Sequence, residues 1–276
     1  MAGRTGRMSL GRRLAIVVLA GVALIVIYYG LGVLLGAPLT GSAQVIAHRG
    51  GRVYQPENTM AAFSQAVEDG VDWLEFDVQM SKDGTLVVIH DETVDRTTNG
   101  TGAVAALTLS ELTVLDAGGG QHIPTFAEVI DFAAKSGVGI LPEAKSPRLY
   151  PGIEAAMIEE IDAARYAGHT IVQSFDAGTL DTFHRLDPNL ALCALYGQGD
   201  MSIAKVQPGD AQFVCPMAEM VMINPAMIRS AHADGRQVFA WFGRLEDPAT
   251  MRVLLDLGVD GLIVDDQQAL LKVLGR

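Results

Sequence analysis

Two histidines, three carboxylates and two cations recur at the ends of apolar runs between residues 48 and 145 of this chain. His48-Arg49-Gly50 opens the stretch, Glu75-Phe76-Asp77 sits in its second apolar run, His90-Asp91 ends the third, and Glu143-Ala144-Lys145 closes it. Glu75 and Asp77 are two apart, so on a strand both carboxylates point to one face. Glu75, Asp77 and Glu143 offer oxygen ligands only, a donor set suited to a divalent cation such as Mg2+ or Ca2+. No Cys or His cluster has the spacing of a zinc site. His48 and His90 are the candidate proton-transfer pair, because imidazole gives or takes a proton near neutral pH. Arg49 and Lys145 would neutralise phosphoryl oxygens, one through a planar fork and the other as a point charge. Lys145 has the competing task of holding Glu143 in place. Metal-assisted chemistry on a phosphate is the reaction these residue types fit.

Such residues work together only if the fold gathers them. Ser81-Lys82-Asp83-Gly84-Thr85 carries a turn signal between two apolar runs, so residues 86–89 read as a strand returning along 73–78 and bringing His90 close to Glu75. His48 follows a separate short run, residues 45–47, and would join them only at one end of a closed barrel. Expected parallel strands cover residues 45–47, 73–78, 139–141, 170–173, 190–195, 213–215, 237–240 and 261–264, and helix-like segments alternate with them. Eight repeated β-then-α units predict an α/β fold, the (β/α)8 TIM barrel, whose functional groups sit at the C-terminal strand ends. His48, Glu75, Asp77, Glu143 and Trp241 all fall at such ends. The weakest unit is the fifth, with at most a short helix over 197–210.

The order and spacing of several motifs carry a resemblance. His48-Arg49-Gly50, Pro56-Glu57-Asn58-Thr59, Glu75-x-Asp77, His90-Asp91, Glu143-x-Lys145, Ser174-Phe175 and Trp241 resemble the glycerophosphodiester phosphodiesterase family over about residues 45–270. The resemblance implies a barrel of the phospholipase C-like phosphodiesterase type and hydrolysis of a glycerophosphodiester to an alcohol and glycerol 3-phosphate. It implies catalysis by His48 and His90, metal ligation by Glu75, Asp77 and Glu143, and substrate contacts from Arg49, Lys145 and Trp241. Attack by water and attack by the glycerol 2-hydroxyl are both compatible with it. Glu57 reads as structural, at the boundary of the helix that follows. Phe242-Gly243-Arg244 replaces a common Thr-Val-Asn, and Asp265-Asp266-Gln267 follows the last strand in place of a Thr-Asp-x-Pro ending, so the substrate pocket is expected to differ. Residues 217–222 are rich in Met, which reads as packing in preference to a lid for an acyl chain. Three readings stay open: hydrolysis of small soluble glycerophosphodiesters, lysophospholipase D-type cleavage of a lysophospholipid, and a non-catalytic anchored barrel.

The N-terminus stands apart. Arg4, Arg7, Arg12 and Arg13 lie in residues 1–13, which have no acid, and residues 14–35 follow without a charge. As a helix, 14–35 would be about 33 Å long, enough to cross a hydrocarbon core of roughly 30 Å. The expectation is a cytoplasmic N-terminus (1–13), a single transmembrane helix or signal anchor (14–35), a tether (36–44) and an extracytoplasmic barrel (45–276). A cleaved signal peptide is the alternative, with Gly41-Ser42-Ala43 near a possible cut. The formal net charge of −12 becomes −16 without residues 1–13, which makes nucleic acid an unsuitable partner. Cys193 and Cys215 fall in apolar runs of neighbouring expected strands and read as buried thiols in preference to a disulfide.

Overall fold

Alternation in the apolar runs decides the architecture. Among the described residues nine strands form: β1 (Gln44–Ala47), β2 (Trp73–Met80), β3 (Leu86–Val88), β4 (Gly139–Ala144), β5 (Ile171–Ser174), β6 (Ala191–Tyr196), β7 (Phe213–Pro216), β8 (Gln237–Trp241) and β9 (Gly261–Val264). The computed structural model describes residues 42–197 and 209–276 with Gly21 and Leu24. The sheet runs in the order β1-β9-β8-β7-β6-β5-β4-β2-β3, and β1 also pairs with β2, so eight parallel strands close into a barrel. Strand β3 is the exception: it pairs antiparallel with β2, Val78 opposite Val88 and Met80 opposite Leu86, as the Asp-Gly turn predicts.

Alternate residues fill the two sides of this wall. Ile46, Leu141, Ile171, Cys193, Leu195, Cys215, Phe239 and Ile263 form a buried cluster inside the barrel. Their strand neighbours, among them Val45, Leu74, Ile140, Val172, Val238 and Leu262, pack in the larger cluster between the barrel and its helices. The next inward position after each plug residue is therefore the last before the barrel opens: His48 after Ile46, Glu143 after Leu141, Gln173 after Ile171, Trp241 after Phe239 and Asp265 after Ile263. β2 runs two residues past the expected end, and its paired length with β1 stops at Leu74, so Glu75 and Asp77 project into the mouth.

Helices fill the crossovers as the amphipathic segments predict, with local caps marking their starts. Thr59 caps Met60–Asp69 by accepting from the Ala62 N–H, and Thr125 forms a capping box with Glu128 at the head of Phe126–Ser136. The helix boundary near Glu57 thus belongs to Thr59, which frees Glu57 for other contacts. The excursion between β3 and Thr125 closes over its own small core of Val87, Ile89, Val94, Val104, Leu112, Ala117 and Ile123. The Met-rich stretch forms a short helix, Ala218–Ile223, with Met217 and Met220 buried, which supports packing over an open lid.

One expectation meets a different outcome, and another falls where nothing tests it. Cys193 and Cys215 are joined in a disulfide, not held as two thiols. The neighbouring-strand placement that argued for burial also sets their Cα atoms 6.0 Å apart, within bridging range. The expected membrane span apart from Gly21 and Leu24, the basic N-terminus, most of the tether and residues 198–208 of the weak fifth unit lie outside the described residues. Among the described residues no helix is long and apolar enough to cross a membrane.

The bridge closes a loop of 22 residues, for which chain entropy gives about 3 kcal/mol. The pair Cys193→Ser with Cys215→Ser should lower the melting temperature by several degrees, and non-reducing peptide mapping should recover the linked peptides. Two free thiols in protein purified without reductant would contradict the assignment.

Candidate active site

Two neighbouring strands, β2 and β4, bring the three acids together at the barrel mouth. Ligand oxygens of Glu75, Asp77 and Glu143 all lie within 4.8 Å of one another, and all three side chains are buried. The pairing Asp77 opposite Glu143 fixes two of them at one level, and the period of two brings Glu75 to the same face. Neutral donors orient the acids: Gln173 Nε2 donates to Glu75 Oε1 at 2.8 Å, and Asn58 Nδ2 donates to Asp77 Oδ2 at 2.9 Å. Among the described residues no nitrogen or sulfur ligand belongs to this set, so three carboxylates in one place fit a hard divalent cation.

Two cations partly balance the acids. Lys145 Nζ lies 3.0 Å from Glu143 and 3.7 Å from Asp77, so the holding role weighed for it is realised, with its tip still in the mouth. Arg49 sits in a left-handed conformation (φ 52°) that lets its backbone N–H reach Glu75 Oε2 at 2.8 Å while its guanidinium meets Glu57 at 2.9 Å and Asp77 at 3.4 Å. Strained backbone of this kind concentrates at functional sites. Gly50 follows at φ 82°, where an added Cβ would stand 2.7 Å from the Ala62 Cβ, so the turn tolerates no side chain.

Both histidines arrive with an aspartate behind them. His48 Nδ1 contacts Asp265 Oδ1 at 2.7 Å, leaving Nε2 3.9 Å from Glu75. His90 Nδ1 contacts Asp91 Oδ1 at 2.6 Å, and its Nε2 lies 3.2 Å from Lys145 Nζ. The turn brings His90 beside Lys145 and within the field of Asp77, while Glu75 is met by His48 instead. The reason is register: the Ile89 N–H bonds to the Asp77 carbonyl, two residues beyond Glu75. Gln79 fixes the His90 backbone, donating to the carbonyls of Ile89, His90 and Asp91, and is itself held by the Tyr150 hydroxyl at 2.7 Å.

Asp265, Asp91, Asn58 and Gln79 carry roles that the sequence motifs alone do not assign. Asp265 was findable by the strand-end rule used for the others, since it follows the inward Ile263 by two. Trp241 stands at its expected strand end, its indole N–H donating to the Tyr196 carbonyl at 3.1 Å and its ring meeting Phe175 in a T-shaped contact. The remaining histidines stay elsewhere: His122 beside Glu128, His169 on Tyr166, His184 beside Asp210 and His232 on Asp260.

The electrostatics follow from burial. Burial pushes Glu143 up to about 7, with the Asp77 charge adding to it, and raises Glu75 well above the carboxylate range. Burial acts the same way on Asp77, but Lys145 and Arg49 outweigh it and hold this acid below its ordinary value. Burial lowers His90, against the pull of Asp77. For Asp265 burial is overcome by His48 and Arg52, which bring it down to about 2.

The glycerophosphoryl diester phosphodiesterase family model matches residues 48–269. The chain belongs to that family. A glycerophosphodiester phosphodiesterase of Caldanaerobacter subterraneus is 38% identical over 84% of this chain and 98% of its own length. One from Bacillus altitudinis is 35% identical over 83% and 97%. Among solved structures, an Oleispira antarctica phosphodiesterase in complex with the product sn-glycerol-3-phosphate superposes with a TM-score of 0.73 at 27% identity, covering 84% of this chain and 97% of that one. Family membership therefore spans the barrel and every candidate residue named above.

The raised carboxyls set a pH signature for the metal-free protein. A carboxyl that binds its proton more tightly when folded contributes stability that is fully present below its unfolded pKa, about 4.3, and is lost as pH rises through its folded pKa. With Glu143 at about 7, the melting temperature of chelator-treated protein should fall between about pH 5 and pH 7. Added Mg2+ or Ca2+ should raise it more at pH 7.5 than at pH 5. An equal cation effect at both pH values would contradict the cluster as the binding site.

Proposed function

We propose that this chain is a divalent-cation-dependent hydrolase of glycerophosphodiesters, releasing an alcohol and glycerol 3-phosphate. The observation that carries the reading is the buried carboxylate triad flanked by two imidazoles, each with its Nδ1 on an aspartate. Glu75, Asp77 and Glu143 would hold Mg2+ or Ca2+, which when bound supplies neutralisation of the phosphoryl charge and polarisation of its oxygen. Arg49 and Lys145 add positive charge at the same mouth. The aspartates orient each ring so that Nε2 is the nitrogen presented to the substrate. One imidazole takes the proton of the attacking oxygen, and the other protonates the departing alkoxide, whose release as a bare anion is costly. Trp241 and Phe175 would wall the glycerol or the head group.

Small water-soluble diesters are the substrates this reading favours. β1 begins at Gln44 on the barrel end opposite the mouth, so a tether over residues 36–44 would lead away from the carboxylates. With residues 14–35 as a single-pass anchor and residues 1–13 cytoplasmic, the mouth would face away from its own bilayer. The Cys193–Cys215 bridge supports an extracytoplasmic location, where disulfides persist. A second reading, lysophospholipase D-type cleavage, draws support from the exposed apolar side chains Leu149, Phe175 and Leu245 after β4, β5 and β8.

Side-by-side assays of glycerophosphocholine and lysophosphatidylcholine, with chelator and with added Mg2+ or Ca2+, should show faster turnover of the soluble diester, lost with chelator and restored by metal. His48→Ala and His90→Ala should each cut turnover by at least about 100-fold with the thermal melt retained. Near-normal hydrolysis by both variants would refute their assignment, and no release from either substrate under any metal would favour the non-catalytic barrel.

A further inference from the structure

The excursion that covers β3 sends one side chain, Arg96, to the rim of the site. Arg96 Nε and Nη2 donate to Asp91 at 2.6 and 3.0 Å, while Nη1 and Nη2 donate to Glu57 at 2.9 and 2.7 Å. Those two carboxylates are the ones that aim the working groups: Asp91 holds His90 Nδ1, and Glu57 holds the Arg49 guanidinium. We propose that Arg96 is a positioning residue of the hydrolase, a guanidinium clamp that fixes His90 and Arg49 relative to each other through Asp91 and Glu57. This rests on the reading of the mouth as a phosphodiesterase site.

Geometry separates the proposal from two plainer roles. Four donor contacts of the guanidinium are spent on the two carboxylates, which leaves it poorly placed to bind a phosphoryl oxygen itself. Its side chain is 46% exposed, and an exposed ion pair made for stability alone contributes little. The planar fork places two donor contacts on each acid in a fixed geometry, which an ammonium, a point charge, does not reproduce. The pairing also keeps both acids charged: hydrogen bonding from Arg96 holds Asp91 well below the carboxylate range, and with Arg49 it overcomes the burial of Glu57. Besides Asp91, His90 faces Lys145, Asp77 and Arg49, and of these four groups Asp91 is the one that meets its Nδ1. Released from Arg96, Asp91 is free to turn away, and the ring loses its aim.

The test uses the full chain loaded with Mg2+ or Ca2+ and glycerophosphocholine as the probe substrate. Arg96→Ala should lower kcat by about 10- to 100-fold while the melting temperature moves little, since a misaimed group costs rate before stability. Guanidinium added at millimolar levels should restore part of the loss, and equal concentrations of ammonium or sodium should not. In an Asp91→Asn background the same substitution should cost less than threefold. Arg96→Lys, which keeps the charge and the stem, should remain impaired and covers the case in which the alanine variant folds poorly. A kcat within twofold of wild type, or costs that multiply in the double variant, would overturn the clamp. Wild-type turnover is measured first, so absence of activity in the parent protein counts against the reading of the site. The His90 imidazole NMR resonances then decide the clamp without turnover: they should shift in Arg96→Ala, and unshifted resonances would overturn it.

Discussion

Mutual repulsion among three buried carboxylates is the constraint on which the rest of the mouth depends. Two unit charges 4 Å apart repel by about 4 kcal/mol even at an effective dielectric of 20, and Glu75, Asp77 and Glu143 crowd within 4.8 Å. Arg49 and Lys145 offset part of this, yet two cations facing three acids leave the cluster short of neutrality. Burial first, with the neighbouring acid charges added to it, raises the proton affinity of Glu75 and Glu143. A divalent cation is the counter-charge that relieves the imbalance while giving an anionic diester a reason to approach. Gln173 and Asn58 keep the oxygens of Glu75 and Asp77 pointed into the cluster.

The barrel supplies that geometry through its alternation. An apolar plug closes the interior one inward position below the mouth, so the next inward position on β1, β4, β5, β8 and β9 falls at the mouth. Because the plug excludes water from below, the acids are buried from one side and open to ligand from the other. The aspartates behind His48 and His90 come from different parts of the ring, Asp265 from beyond β9 and Asp91 from beyond β3, so ring closure is what places the two imidazoles across a single site.

Much of this was legible in the chain because period-two alternation is local and barrel closure repeats it. The eight parallel strands, the β2–β3 turn and the set His48, Glu75, Asp77, His90, Glu143 and Lys145 all follow from that signal. What escaped depends on contacts between distant segments. Asp265 is 217 residues from His48, and its aspartate gives no local sign of its partner. Asn58 reads as helix-cap chemistry, yet its left-handed backbone turns the side chain to Asp77. The error at Cys193 and Cys215 had a physical source: burial was judged from strand placement, while pairing depends on which residues face inward at adjacent levels.

The central claim is that three acids from β2 and β4 enclose one cation at the barrel mouth. Crystals grown with Mn2+, a heavier stand-in for Mg2+, test it most directly through anomalous scattering. The account predicts one peak about 2.0–2.6 Å from oxygens of Glu75, Asp77 and Glu143, with both imidazole Nε2 atoms facing it. A peak elsewhere in the molecule, or none at the triad at saturating Mn2+, would contradict it.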